Sequence, residues 1–188
     1  MMRKLACLTA VVLLAATAAV ADDFTDTIEL FKHGGQSEQF FHNSYGYAVF
    51  PTIGKGGLVV GGAYGKGRVY AHGRPVGDVS MTQVSVGLQL GGQAYSEIIF
   101  FENKAALDEF TTGDFEFGAD ADAVAITAAA GASASTAGAS AGASGGMKDA
   151  VTAGKYYKGM AVFTIVKGGA MYQAVLAGQK FKFKPLSS

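Results

Sequence analysis

With 188 residues, 49% of them hydrophobic and only 16% charged, the chain can bury the core of one domain, which excludes a wholly disordered protein. Fifteen Lys and Arg balance fifteen Asp and Glu, and without a basic excess the chain is not a general nucleic-acid binder. The single cysteine, Cys7, lies in the N-terminal apolar stretch, so the rest of the chain has neither disulfides nor thiolate chemistry.

In chain order, Arg3 and Lys4 precede an apolar run from Leu5 to Val20, which closes in Ala19-Val20-Ala21 before Asp22 and Asp23. A charged start, a short apolar core and a small-x-small site predict a secretory signal over Met1–Ala21. The run is shorter than the ~20 apolar residues of a usual spanning helix. Residues 22–188 are then one domain, exported to the periplasm or the extracellular space. Phe24, Ile28 and Phe31 recur at helical spacing with Asp23, Asp26 and Glu29 on other faces, predicting a short amphipathic helix. Its polar face is acidic, unlike helices that insert into anionic interfaces, so packing on its own domain is expected. After Gly34-Gly35 a second short helix is predicted over Gln39–Tyr45.

From Gly46 the texture changes to short runs of Val, Ile, Phe and Tyr broken by glycine. Strands are predicted over Tyr47–Ile53, Leu58–Tyr64, Arg68–His72, Thr82–Leu90 and Tyr95–Phe101. Tyr70–Pro75 carries the chemistry of a turn between two of them. Along Thr82–Leu90, Val84, Val86, Leu88 and Leu90 alternate with Gln83, Ser85, Gly87 and Gln89, which predicts a sheet with one buried face. Asn103 can cap a helix over Lys104–Phe110 that Gly113 ends. Phe115–Phe117 and Asp120–Thr127 read as further strands. Ala128–Gly146 is almost pure Ala, Gly and Ser, and reads either as a flexible loop or as a close-packed pair of strands. Gly159–Val166, Ala170–Leu176 and Gln179–Phe183 complete the set. The fold class is α+β, mainly antiparallel β, with a curved or barrel-like sheet carrying two or three short helices.

No motif supports catalysis. Gly61–Gly67 has the wrong spacing for a phosphate loop, and Gly67 stands where the magnesium-binding Ser or Thr should be. These glycines instead fit places where strands bend or approach closely. His33, His42 and His72 are scattered, without metal-ligand spacing. Asp114, Glu116, Asp120 and Asp122 form the one carboxylate cluster; a calcium loop motif is absent, and a solvated face is favoured. There is no Gly-x-Ser-x-Gly elbow. Neither cofactor nor metal is expected.

Charge distribution suggests binding. Glu97–Asp122 holds eight acids against Lys104, and Met147–Ser188 holds seven lysines against Asp149. Such polarity either orients the chain on a partner or pairs two neighbouring segments. Lys180, Lys182 and Lys184 project from one side of a strand, with Phe181 and Phe183 on the other. That row can attract lipid phosphates, but the spacing alone favours the protection of an edge strand from aggregation.

Several blocks resemble the SYLF-domain family, also described as lipid-binding or yeast actin-patch-type actin-binding domains. They are Tyr47-Ala48-Val49-Phe50-Pro51-x-Ile53-Gly54-Lys55-Gly56-Gly57 with Val60-Gly61-Gly62-x-Tyr64-Gly65-Lys66-Gly67, and then Ser85–Ser96. Ala106-Leu107-x-x-Phe110, Phe117–Ala121 and Lys158-Gly159-Met160 follow in order. The resemblance implies a compact, non-enzymatic phospholipid-binding domain with no catalytic residues, and phosphoinositide and actin partners in eukaryotic members. An exported protein would not meet cytoplasmic actin, so envelope phospholipid or a membrane surface is the expected partner. Lys55, Lys66 and Arg68 in the first block, with Lys180, Lys182 and Lys184 in the last strand, are the candidate lipid contacts. The alternative is a structural or protein-interaction domain in envelope assembly, pairing through a sheet edge or Ala128–Gly146.

Overall fold

A computed structural model describes residues 23–57, 60–86, 92–118, 123–126, 156–168, 176 and 178–187. The expected signal peptide, the Ala128–Gly146 segment, Asp120, Asp122 and nearly all of Ala170–Leu176 lie outside these residues. Helix α1 covers residues 23–32, α2 is Glu38–Asn43 and α3 is Lys104–Phe110. The strands are β1 Gly46–Gly57, β2 Val60–Ala71, β3 Arg74–Val86, β4 Gln93–Phe101, β5 Phe115–Glu116, β6 Ala123–Ile126, β7 Met160–Gly168 and β8 Gln179–Pro185. They form one sheet in the order β5-β8-β3-β2-β1-β4-β7-β6. Every pairing is antiparallel except β6 with β7.

The sheet curls into a half-barrel. Strands β8 and β4 are separated by three others, so on a flat sheet they would stand about 19 Å apart. Yet Gln179 on β8 donates a hydrogen bond of 3.2 Å to Glu97 on β4. Small residues on the concave side permit this closure. A Cβ on Gly67 would come within 2.6 Å of the Phe50 ring, and one on Gly77 would overlap the ring of Phe183. The glycines therefore make room for inward aromatics and leave the strands unbroken. For that reason the two predicted strands Leu58–Tyr64 and Arg68–His72 are one strand, β2. The predicted Thr82–Leu90 strand likewise begins eight residues earlier, at Arg74. Pro51 cannot donate to a ladder and sits where the register of β1 shifts; its carbonyl accepts from the Ser96 hydroxyl at 2.7 Å.

Each face of the sheet carries its own core. Inside the half-barrel, Phe50, Ile53, Val69, Met81, Ile99, Phe101 and Phe181 pack with Ala106, Leu107 and Phe110 of α3. Outside, Phe24, Ile28 and Phe31 of α1 and Phe40 of α2 cover Val49, Ile98, Phe100, Phe163 and Ile165 of β1, β4 and β7. The first helix thus packs on its own domain, as its acidic polar face implied. Asn103 Oδ1 accepts from Ala106 N at 3.0 Å, capping α3. That helix already stops at Thr111, before Gly113. Between β2 and β3 the turn residues His72 and Gly73 have φ of 49° and 75°, the left-handed pair that a two-residue hairpin matching strand twist requires.

One expectation is inverted. Val84 is 75% exposed and Gln83 is 5% exposed, so along β3 the glutamine faces in and the valine faces out. Parity is set further back, where Val79 and Met81 enter the core, and the pairing runs without a shift from Val79 to Val86. Alternation defines two faces, and the neighbours decide which one is buried.

Candidate functional site

Cross-strand partners share a face of the sheet, and the register gathers most of the predicted site residues. Lys66 on β2 pairs with Ser80 on β3, which pairs with Lys182 on β8. On one side of this row lie Arg68, Asp78 and Lys184; on the other lie Tyr64, Thr82 and Lys180. Lys66, Arg68, Lys180, Lys182 and Lys184 therefore occupy one face, the outer face of β2, β3 and β8, beside the half that α1 and α2 cover.

These five cations differ in their commitments. The Arg68 Nε donates to Asp78 Oδ1 at 2.8 Å, and its guanidinium stands 4.9 Å from the centre of the Phe24 ring. It pins α1 to the sheet. Lys180 reaches Glu116 at 3.4 Å, so the acidic and basic segments of the sequence do pair here within the molecule. Both side chains are about half exposed, and such pairs contribute little. Lys66, Lys182 and Lys184 have no ion pair among the described residues.

Lys55 stands apart from this group. It pairs with Ala63, which lies in the inner core, so Lys55 belongs to the concave side. Burial there lowers its pKa from the ordinary lysine value. The sequence block that placed Lys55 beside Lys66 and Arg68 conceals that separation.

A second polar group was not anticipated. Glu97 is wholly buried on the inner wall, opposite Phe50 on β1 and Thr164 on β7. Gln179 Nε2 donates to Glu97 Oε2 at 3.2 Å and to the Tyr95 hydroxyl at 3.4 Å. Gln83, also buried, lies opposite Gln179. Glu97 Oε1 and Gln179 Oε1 have no hydrogen-bond partner among the described residues. Desolvation pushes the Glu97 carboxyl up from 4.5 to about 7, against the opposing effect of the Gln179 hydrogen bond. A single acid within the apolar run Tyr95–Phe101 was the available signal. Among the described residues, His, Cys, Asp and Glu nowhere assemble a group that could hold a metal ion.

The Ysc84 family, described as Las17-binding protein actin regulator, matches residues 82–181, just over half of the chain. The chain belongs to the Ysc84 family of SYLF domains. Its relative Beta cell expansion factor A of Aeromonas veronii is 28% identical over 160 residues, covering 84% of this chain and 52% of the relative. The chain thus spans about half the length of that curated relative. Ysc84 membership supports a domain of the lipid- or actin-binding type. The matched span includes Glu97 and the start of β8, with Gln179 and Lys180, and stops before Lys182 and Lys184.

Proposed function

We propose that this SYLF domain is an exported, non-enzymatic protein that binds anionic phospholipid at the cell envelope. The observation that carries this reading is the gathering of five basic residues from β2 and β8 on the half of the outer sheet face that α1 and α2 do not cover. Three of them, Lys66, Lys182 and Lys184, have no ion pair among the described residues. Anionic headgroups supply the missing charge at about 1 kcal/mol for each lysine near the surface. The secretory features of residues 1–21 support a membrane outside the cytoplasm as the partner.

The test is co-sedimentation with vesicles of phosphatidylcholine alone and of phosphatidylcholine with phosphatidylglycerol, at low and high salt. Binding is expected only with the anionic lipid, weakening as salt screens it. Replacing Lys66, Lys182 and Lys184 together by Gln should weaken it on the order of 100-fold. If the protein ignores both vesicle types at low salt, the lipid reading fails.

A protein-interaction reading has one observation in its favour. Strand β5 pairs with Lys180 and Phe181, and among the described residues nothing pairs with the β8 edge from Lys182 to Pro185. A partner held there by backbone hydrogen bonds would survive both detergent and high salt.

A further inference from the structure

The face that bears the lysines is not uniformly basic. Tyr64, 51% exposed, lies opposite Thr82; Val84, 75% exposed, lies opposite Gly62. Both therefore stand on the lysine-bearing side of β2 and β3. Gly62 contributes no side chain, so nothing across the pair shields Val84. Successive rows on one face of a strand are about 7 Å apart. The patch thus runs for about 20 Å, from Val84 at one end, through Tyr64 with Lys180, to Lys66 with Lys182, and to Arg68 with Lys184.

Apolar residues at one end and lysines along the rest match a bilayer interface. Tyrosine favours the boundary between hydrocarbon and headgroups, and lysine favours the phosphate layer. The other exterior half does not match. There α1 exposes Asp23, Asp26 and Glu29, which an anionic surface repels. The concave side is already filled: the Phe110 and Phe181 rings lie 5.0 Å apart, and Phe50 and Phe181 lie 5.7 Å apart.

We propose that the outer face of β2, β3 and β8 docks directly on an anionic bilayer, with Tyr64 and Val84 entering the interface and Lys66, Lys182 and Lys184 on the phosphates. The inference rests on the phospholipid reading and adds a surface and an orientation. The bilayer meets the sheet itself, on the half of the outer face beside the one that α1 and α2 cover.

The chain contains no tryptophan, so one introduced tryptophan is a clean reporter. Tyr64→Trp and Val84→Trp are compared with Leu30→Trp, which lies on α1 at a position 51% exposed. All three positions are exposed, and circular dichroism confirms folding of each variant. The protein as recovered from its producing cells is mixed with phosphatidylcholine–phosphatidylglycerol vesicles, with and without acyl-chain bromine. Blue-shifted emission and bromine quenching are expected for Tyr64→Trp and Val84→Trp, with neither change for Leu30→Trp. If all variants sediment with vesicles but only Leu30→Trp shifts, or none shifts, the docking surface is wrong and the lipid reading stands. If even the unmodified protein fails to sediment, both are overturned.

Discussion

Replacing Glu97 by Gln should remove a pH dependence that this one carboxyl imposes on stability. Glu97 is enclosed by Tyr95, Gln179 and the inner core, and its pKa rises from 4.5 unfolded to about 7 folded because burial disfavours the charge. Between those values the folded protein keeps a proton that the unfolded chain has released, so stability falls as pH rises. The full contribution is present below 4.5, and the loss is complete once pH passes about 7. A gap of about 2.5 pH units, at about 1.4 kcal/mol per unit, amounts to about 3 kcal/mol. One charge-assisted hydrogen bond from Gln179 works against this, but desolvation is the larger effect. Glutamine has nearly the same shape and does not titrate. Urea unfolding followed by circular dichroism, from pH 4 to pH 8, gives the difference between the two proteins; every other titrating group cancels. Near pH 4 only the small change from acid to amide should remain. By pH 8 the Glu97→Gln protein should have gained about 3 kcal/mol relative to the wild type. A difference that stays constant across the range would refute the reasoning, because Glu97 would then titrate as an ordinary, hydrated carboxyl.

Two other substitutions probe the frame that positions the basic face. Gly77→Ala would push a methyl group into the ring of Phe183 and the β8 backbone, at a cost of about 1–3 kcal/mol from overpacking, read as a lower urea midpoint with an unchanged slope. Asn103→Ala removes the side-chain acceptor for Ala106 N and should cost about 1 kcal/mol, measured in the same way; no loss would mean that the cap is replaced by solvent.

Local chemistry made much of this molecule legible. The spacing of Phe24, Ile28 and Phe31, the Asn103 cap, the turn at His72-Gly73 and the one-sided lysines of β8 are decided by residues within a few positions of one another. All are where the sequence placed them. The order of the SYLF blocks likewise carried the family without any coordinates. Other features depended on partners distant in sequence. Alternation could not say that Gln83 faces in and Val84 out, because that follows from how β3 is seated between β2 and β8. Nor could it show Glu97 buried, since a strand covered on both faces shows no alternation. Proximity in the chain put Lys55 with Lys66, whereas the sheet puts Lys55 inside and joins Lys66 to Lys182 through Ser80. The sequence by itself determined which residues alternate, cap and turn. Only the tertiary structure decided which faces meet, because curling the sheet brings together side chains that local periodicity treats as unrelated.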